Sequence, residues 1–298
     1  MQHLLSNQAI AFLAACEARP LHGPGKSCFT PPSGQIMVAQ LPTEASREKQ
    51  MPDNQQAVLE YEAAGASDQG RTRKSNEDAY GLNLSNSEGA CNFVVCDGMG
   101  GAAAGEIASR LAVDAMLRAM NQGVLTLESF QQAVDAANHS VHRSAAQDPS
   151  RAGMGTTLVA MATRGNHAWV AHVGDSRCYR LREGRLERLT HDHSLVDEQV
   201  RLGQLTPAQA ETSPMRNVIT RAVGTQDEVA ADLIEFVVEP GDLYMLASDG
   251  LMREVDDEQI AGILRGAGGL QQTCAQLIAA ANAAGGRDNI TCLLVRAR

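Results

Sequence analysis

The run Phe93-Val94-Val95-Cys96-Asp97-Gly98-Met99-Gly100-Gly101 constrains this chain more than any other stretch. Its apolar start is short and bounded by a turn signal, so it reads as a buried strand whose last residue is Asp97. A carboxylate at the end of a buried strand is costly unless it is paired or binds a metal. The glycines behind it let another group approach the backbone closely. Two readings follow: the turn cradles a phosphate directly, or Asp97 and its neighbouring backbone hold a cation.

The first reading has a formal match, because Gly98-Met99-Gly100-Gly101-Ala102-Ala103 fits a loose GxGxxA dinucleotide fingerprint between a strand and a helix. Three features weaken it. Asp97 would stand beside the pyrophosphate, a second helix follows the first where a parallel strand belongs, and no acidic residue ends a second strand at the expected distance. No Lys-Ser or Lys-Thr pair completes a P-loop. Serine-hydrolase chemistry lacks its GxSxG elbow, and Ser248-Asp249-Gly250 has no histidine partner suggested by spacing.

Around this run the pattern predicts strands over residues 60–66 and 79–84, then amphipathic helices over 106–120 and 127–146, the second opened by Thr126 with Ser129 beyond it. Short turn-bounded strands follow at 157–161, 167–173 and 177–181, spaced as antiparallel hairpins. Residues 191–215 are polar and irregular, with short helices expected near 195–202 and 207–210. Strands near 229–238 and 242–247, a helical region ending near Ala284 and a last strand at 289–295 complete the chain. That order lacks the regular alternation of a doubly wound fold and fits an antiparallel α+β sandwich.

What the chain repeats is an acid at a strand end or turn: Cys96-Asp97-Gly98, Gly174-Asp175-Ser176, Ser248-Asp249-Gly250 and Arg287-Asp288-Asn289. Singly, each Asp is an ordinary turn residue. Together they can converge on one rim of a sandwich, and an all-oxygen set without His or Cys at ligand spacing favours Mg²⁺ or Mn²⁺ over Zn²⁺. The formal net charge of -10 over 298 residues suits a cation-collecting site and argues against a nucleic-acid binder. The seven cysteines are scattered without a CxxC pair, as expected of buried thiols in a reducing cytoplasm.

Residues 1–58 differ in composition, with Pro20, Pro24, Pro31, Pro32, Pro42 and Pro52 among Gln, Ser and Gly, and read as a flexible extension before a folded domain over 59–298. Residues 9–16 resemble a lipoprotein cleavage box, but no Lys or Arg precedes them and the apolar core is short for a signal peptide. No stretch reaches the roughly 20 apolar residues of a membrane span. A soluble cytoplasmic monomer is expected.

Six ordered motifs then carry a resemblance to the metal-dependent protein serine/threonine phosphatases of type 2C. They are Ser67-Asp68-Gln69-Gly70 leading through Arg73 to Asn76-Glu77-Asp78; Asp97-Gly98-Met99-Gly100-Gly101; Gly155-Thr156-Thr157; Gly174-Asp175-Ser176-Arg177; Ser248-Asp249-Gly250-Leu251; and Asp288-Asn289-Ile290-Thr291. The Asp-Gly-Met-Gly-Gly form and Leu189-Thr190-His191-Asp192-His193-Ser194 look like bacterial members. The resemblance implies a four-layer α-β-β-α sandwich and two divalent ions, Mn²⁺ or Mg²⁺, activating a bridging water for in-line attack on phosphorus. It assigns Asp97 as the bridging ligand with the Gly98 carbonyl on one ion, Asp249 and Asp288 on the other, and Glu77 on the second ion. Asp175 with Asp249 resembles the pair that holds a third, weaker ion. Asp78 and Asn289 would stand behind the ligands, and Arg73 would clamp phosphoryl oxygens with its planar donors.

Met99 departs from members that carry His after Asp-Gly, and a thioether cannot donate a proton. His191 and His193 alternate on an extended segment and could face one side together, although structural roles suit both. Residues 191–216 resemble a flap beside the site. The expected activity is hydrolysis of phosphoserine and phosphothreonine, with Ser/Thr kinases and their substrates as counterparts. The alternatives are a catalytically silent phosphoprotein-binding regulator on the same fold, or a phosphatase dedicated to a sigma-factor regulator.

Overall fold

The strand that carries Asp97 is covered on both faces, which is why its sequence is a continuous apolar run and not an alternating one. In the computed structural model, residues 59–84, 89–100, 104–121 and 125–298 are described, and all fall within one unit, Gln55–Arg298. The expected extension, 1–58, lies outside the described residues. Among those described the order is β1 (Tyr61–Asp68), β2 (Asp78–Asn83), β3 (Ala90–Met99), α1 (Ala104–Met120), α2 (Leu127–Gln147), β4 (Gly155–Thr156), β5 (Leu158–Arg164), β6 (His167–Val173), β7 (Arg177–Arg182), β8 (Arg185–Arg188), α3 (Leu195–Arg201), α4 (Pro207–Glu211), β9 (Asp232–Val237), β10 (Leu243–Ala247), α5 (Asp249–Met252), α6 (Asp257–Leu264), α7 (Leu270–Ala284) and β11 (Ile290–Ala297).

These strands form two antiparallel sheets, one ordered β1-β11-β10-β7-β8 and the other β2-β3-β5-β6-β9 with β4 paired to β3. Side chains alternate along each strand, so one strand serves two cores. Phe93 and Val95 point between the sheets, where they join Val159, Val170, Tyr244 and Leu293. Val94 and Cys96 point the other way, onto Ala108, Met116 and Phe130 of α1 and α2. On the second sheet Met245, Cys292 and Leu294 pack against Ile260, Leu277 and Ala281 of α6 and α7. The result is the antiparallel α+β sandwich expected from the element order, in the four-layer α-β-β-α form that the family resemblance implies.

Local chemistry explains the element ends. Thr126 accepts from the Ser129 backbone and the Ser129 hydroxyl accepts from the Thr126 backbone, a reciprocal cap that opens α2 where expected. Three expectations need correction. β3 does not stop at Asp97, because Gly98 and Met99 pair with Thr156 and Gly155. The strand expected near 229–238 is confined to Asp232–Val237. The last helical region is three separate helices, the first starting at Asp249 itself. The described cysteines, Cys91, Cys96, Cys178, Cys274 and Cys292, are free and buried. Among the described residues no helix is long and apolar enough to cross a membrane.

Phe93 is fully buried between the sheets, so Phe93→Ala should cost about 3–5 kcal/mol of unfolding free energy by urea titration. Leu202→Ala, at an exposed position, should stay within about 0.5 kcal/mol in the same experiment.

Candidate metal centre

Antiparallel pairing brings strand ends from distant parts of the chain to one edge of the sandwich. Asp78 opens β2 directly opposite Asp97 in the ladder. Asp175 follows β6, whose end pairs with the start of β5. Asp249 follows β10 and Asp288 precedes β11, and those two strands also pair at that end. The four strand-end acids singled out from sequence therefore meet, together with Asp78 and Glu77.

The backbone that presents them is held by hydroxyls and one amide. The Asp97 amide N–H donates to the Thr157 hydroxyl at 2.9 Å, and its carbonyl accepts from the Thr157 amide at 2.9 Å and the Thr156 hydroxyl at 2.8 Å. Thr157 and Ser176 share a 2.7 Å hydroxyl contact, joining the Asp97 strand to the turn after Asp175. Gly174, with φ +106, permits that turn. At Gly98 a Cβ would lie 2.0 Å from the Gly105 carbonyl oxygen, so only glycine lets β3 meet α1 here. Asn289 ties the loop before β2 to β11: its amide nitrogen donates to the carbonyls of Gln69 at 2.9 Å and Ser75 at 2.8 Å, and its oxygen accepts from the Glu77 amide at 2.9 Å. The Ser248 hydroxyl donates to Asp78 at 2.7 Å.

Burial of so many carboxylates side by side disfavours their charged forms. Asp97 and Asp249 are pushed well above the usual range, first by burial and then by the neighbouring acids. Burial pushes Asp78 up to about 6 against the opposing hydrogen bonds of Ser248 and Thr291. Burial also raises Asp175, against Arg253, and Glu77, against Arg73. One oxygen each of Asp78 and Asp249 is buried without a hydrogen-bond donor. Orphaned carboxylate oxygens in an all-oxygen cluster are what a hard divalent cation would satisfy, so the residues fit Mg²⁺ or Mn²⁺.

Two arginines enter the cluster. Arg73 pairs with Asp288 at 2.8 Å. Arg253 contacts Asp249, reaches Asp288 at 3.3 Å and Asp175 at 3.7 Å. Sequence reasoning passed over Arg253, although its position four residues after Asp249 is the helical spacing for an ion pair. It also passed over the Thr157–Ser176 and Ser248–Asp78 contacts, which only the fold creates.

A cleft of about 960 Å³ opens from these acids toward residues 191–217, lined on one side by Arg73, Asp249 and Asp288 and on the other by Val196, Pro207 and Arg216. The base of that segment is stapled to the site. The His193 amide donates to the Gly174 carbonyl at 2.7 Å, its Nδ1 accepts from the Gly174 amide at 3.1 Å, and the Thr220 amide donates back to the His193 carbonyl at 2.7 Å. Because Nδ1 is an acceptor, Nε2 carries the proton, and it lies 3.1 Å from Asp232. His172, His193 and Asp232 are close enough to suggest a second ion, but with Nδ1 accepting from Gly174 the protonated Nε2 facing Asp232 offers an ion no lone pair. His191 is exposed while His193 is buried, so the two do not share a face as their spacing suggested. Met99 ends β3, partly exposed and opposite Gly155.

The protein phosphatase 2C family model matches residues 66–294. The protein phosphatase PhpP of Streptococcus pneumoniae is 38% identical over 236 residues, covering 76% of this chain and 94% of PhpP. The Streptococcus agalactiae serine/threonine phosphatase superposes with a TM-score of 0.75 at 34% identity, over 79% of this chain and 99% of that one. The catalytic domain of the phosphatase PstP, solved with two manganese ions, gives a TM-score of 0.73 at 34% identity over 80% of this chain and 99% of its own. Fold and site define a metal-dependent phosphoprotein hydrolase. The chain belongs to the protein phosphatase 2C family.

The raised carboxyls fix a pH dependence. Their folded values lie above the unfolded value, so the folded chain holds more protons between roughly pH 4 and the raised values. In chelator, the contribution of these acids to stability should therefore fall as pH climbs through that window, which for Asp78 ends at about 6. Burial lowers His172 to about 3, so its own contribution rises with pH in the same range, and the carboxyl effect is read as a difference: from pH 5 to 7.5 in chelator the melting temperature of Asp78→Asn should gain on that of wild type as pH rises, and no gain would contradict the electrostatics described.

Proposed function

We propose that this serine/threonine protein phosphatase hydrolyses phosphoserine and phosphothreonine in proteins at the Asp97 cluster, where Asp97 would serve both of two divalent ions. In this reading the Gly98 carbonyl and Glu77 would hold one ion, Asp249 and Asp288 would hold the other, and Asp175 with Asp249 would hold a weaker third. The observation that carries it is the group of buried carboxylates with donor-free oxygens on Asp78 and Asp249. Bound there, divalent ions supply Lewis-acid polarisation of the phosphoryl oxygens and a lowered pKa for attacking water.

The chain's own residues do the rest. Thr156 and Thr157 hold the Asp97 backbone from three directions. Asn289 fixes the loop that carries Arg73 and Glu77, and Asp78, held by Ser248, stands behind Asp97 in the ladder. One Arg73 nitrogen bonds Asp288, and the remaining guanidinium donors are free to take two phosphoryl oxygens in the cleft. Burying the carboxylates excludes water from one side of the reacting group while the cleft admits the peptide from the other. Met99 supplies no proton, so the departing serine or threonine oxygen takes its proton from water at the site or from another residue. The partners are phosphorylated proteins, which we take to include Ser/Thr kinases and their substrates. The silent-regulator alternative draws no support from a chain that retains every acid of the set.

A phosphothreonine peptide assayed with Mn²⁺ should be turned over, and excess chelator should abolish the reaction; undiminished hydrolysis in chelator would sink the metal mechanism. Asp97→Asn and Asp249→Asn should each lower kcat by roughly a hundredfold or more, as expected when charge stabilisation of the transition state is lost. Arg73→Ala should act chiefly on KM, raising it about tenfold, the equivalent of one charge-assisted hydrogen bond.

A further inference from the structure

Within the cluster, the residue that none of the assigned roles uses is Arg253. It caps the C-terminal end of α5, one turn beyond Asp249. One terminal nitrogen of its guanidinium contacts Asp249 Oδ2 and lies 3.7 Å from Asp175 Oδ2, and the other lies 3.3 Å from Asp288 Oδ2. Its side chain is only 31% exposed. A single cation of the chain thus touches three carboxylates, and two of them are the pair assigned to a third ion.

We propose that Arg253 is a built-in counter-cation for the Asp175–Asp249 pair, so that in this chain a guanidinium and a third divalent ion compete for the same two carboxylate oxygens. The proposal rests on the metal-centre reading above. A guanidinium cannot yield by deprotonation; it leaves these oxygens only by swinging out into the cleft it lines. Asp249 Oδ1, which has no donor, stays open to the two-ion centre while Oδ2 is held by Arg253. The competition therefore falls mainly on the third position, where Arg253 faces both carboxylates, and reaches the first two only through the longer Asp288 contact. Arg253 also offsets the repulsion of Asp175, Asp249 and Asp288 when no ion is bound, which makes it a positioning residue for the empty centre.

Counting bound Mn²⁺ tests this directly, by the loss of the free-ion electron paramagnetic resonance signal on titrating the full chain. The wild-type protein should take up two ions tightly and a third weakly. In Arg253→Gln the third should bind about tenfold tighter, the weight of one charge-assisted contact removed from the competition, with the first two changing less. The same variant should melt lower than wild type in chelator and recover in Mn²⁺. Arg253→Lys, a point charge without the fork, should fall between the two. Arg287→Gln removes the same charge from the same cleft, but Arg287 pairs with Glu254 and not with the cluster, so its third-ion affinity should match wild type. Equal affinities in wild type and Arg253→Gln, or equal gains in Arg253→Gln and Arg287→Gln, would overturn the role of Arg253 and leave the two-ion centre standing. A wild-type chain that binds no Mn²⁺ would overturn the centre itself, and this proposal with it.

Discussion

Like charges converge at one end of the sandwich, and much of the architecture serves to keep them there. Two carboxylates 4 Å apart repel by about 4 kcal/mol at an effective dielectric near 20, a large share of the roughly 5–15 kcal/mol that holds a domain folded. Asp78, Asp97, Asp175, Asp249 and Asp288 arrive from the ends of β2, β3, β6, β10 and β11, and each is anchored by a strand that is deep in one of three apolar cores. The repulsion is thereby spread over the whole sandwich. No local turn could hold five such groups together.

The anchoring has a second tier made of hydroxyls. Thr156, Thr157, Ser176 and Ser248 are all buried, and each bonds either the backbone of a site acid, the carboxylate itself or another hydroxyl of the set. Hydroxyls suit this position because they donate or accept without adding charge. They can fix the geometry of an acid while leaving its electrostatic demand unmet, which is the condition for binding a cation strongly. Arginines do the reverse: Arg73 and Arg253 satisfy part of that demand at Asp288 and Asp249. The balance between the two kinds of partner sets how much of the cluster remains available.

Much of this was legible in the sequence. Runs such as 93–96 announce strands covered on both faces, and the recurrence of an acid after each run pointed to a shared rim. What escaped was short or non-local. The pairing of Gly155 and Thr156 with the end of β3 spans two residues and has no periodic signal, so Asp97 was read as a terminus when it lies inside a ladder. His191 and His193 have the two-residue spacing of one strand face, yet His193 is turned inward by two hydrogen bonds to Gly174 that no pattern encodes. Arg253 did carry a local signal, its helical spacing from Asp249, but that spacing marks ordinary surface ion pairs equally well.

The staple at the foot of residues 191–217 has a thermodynamic corollary. His193 grips both polar groups of Gly174, the residue before Asp175, and Val223 exchanges two backbone hydrogen bonds with Thr156, whose hydroxyl holds Asp97. Residues that line the cleft and backbone that carries the acids are one mechanical piece. If engaging a phosphoprotein tightens the acids, cation occupancy must in turn tighten grip on the phosphoprotein, and by the same factor. Affinity for either ligand then has no single value, since each becomes a dial for the other.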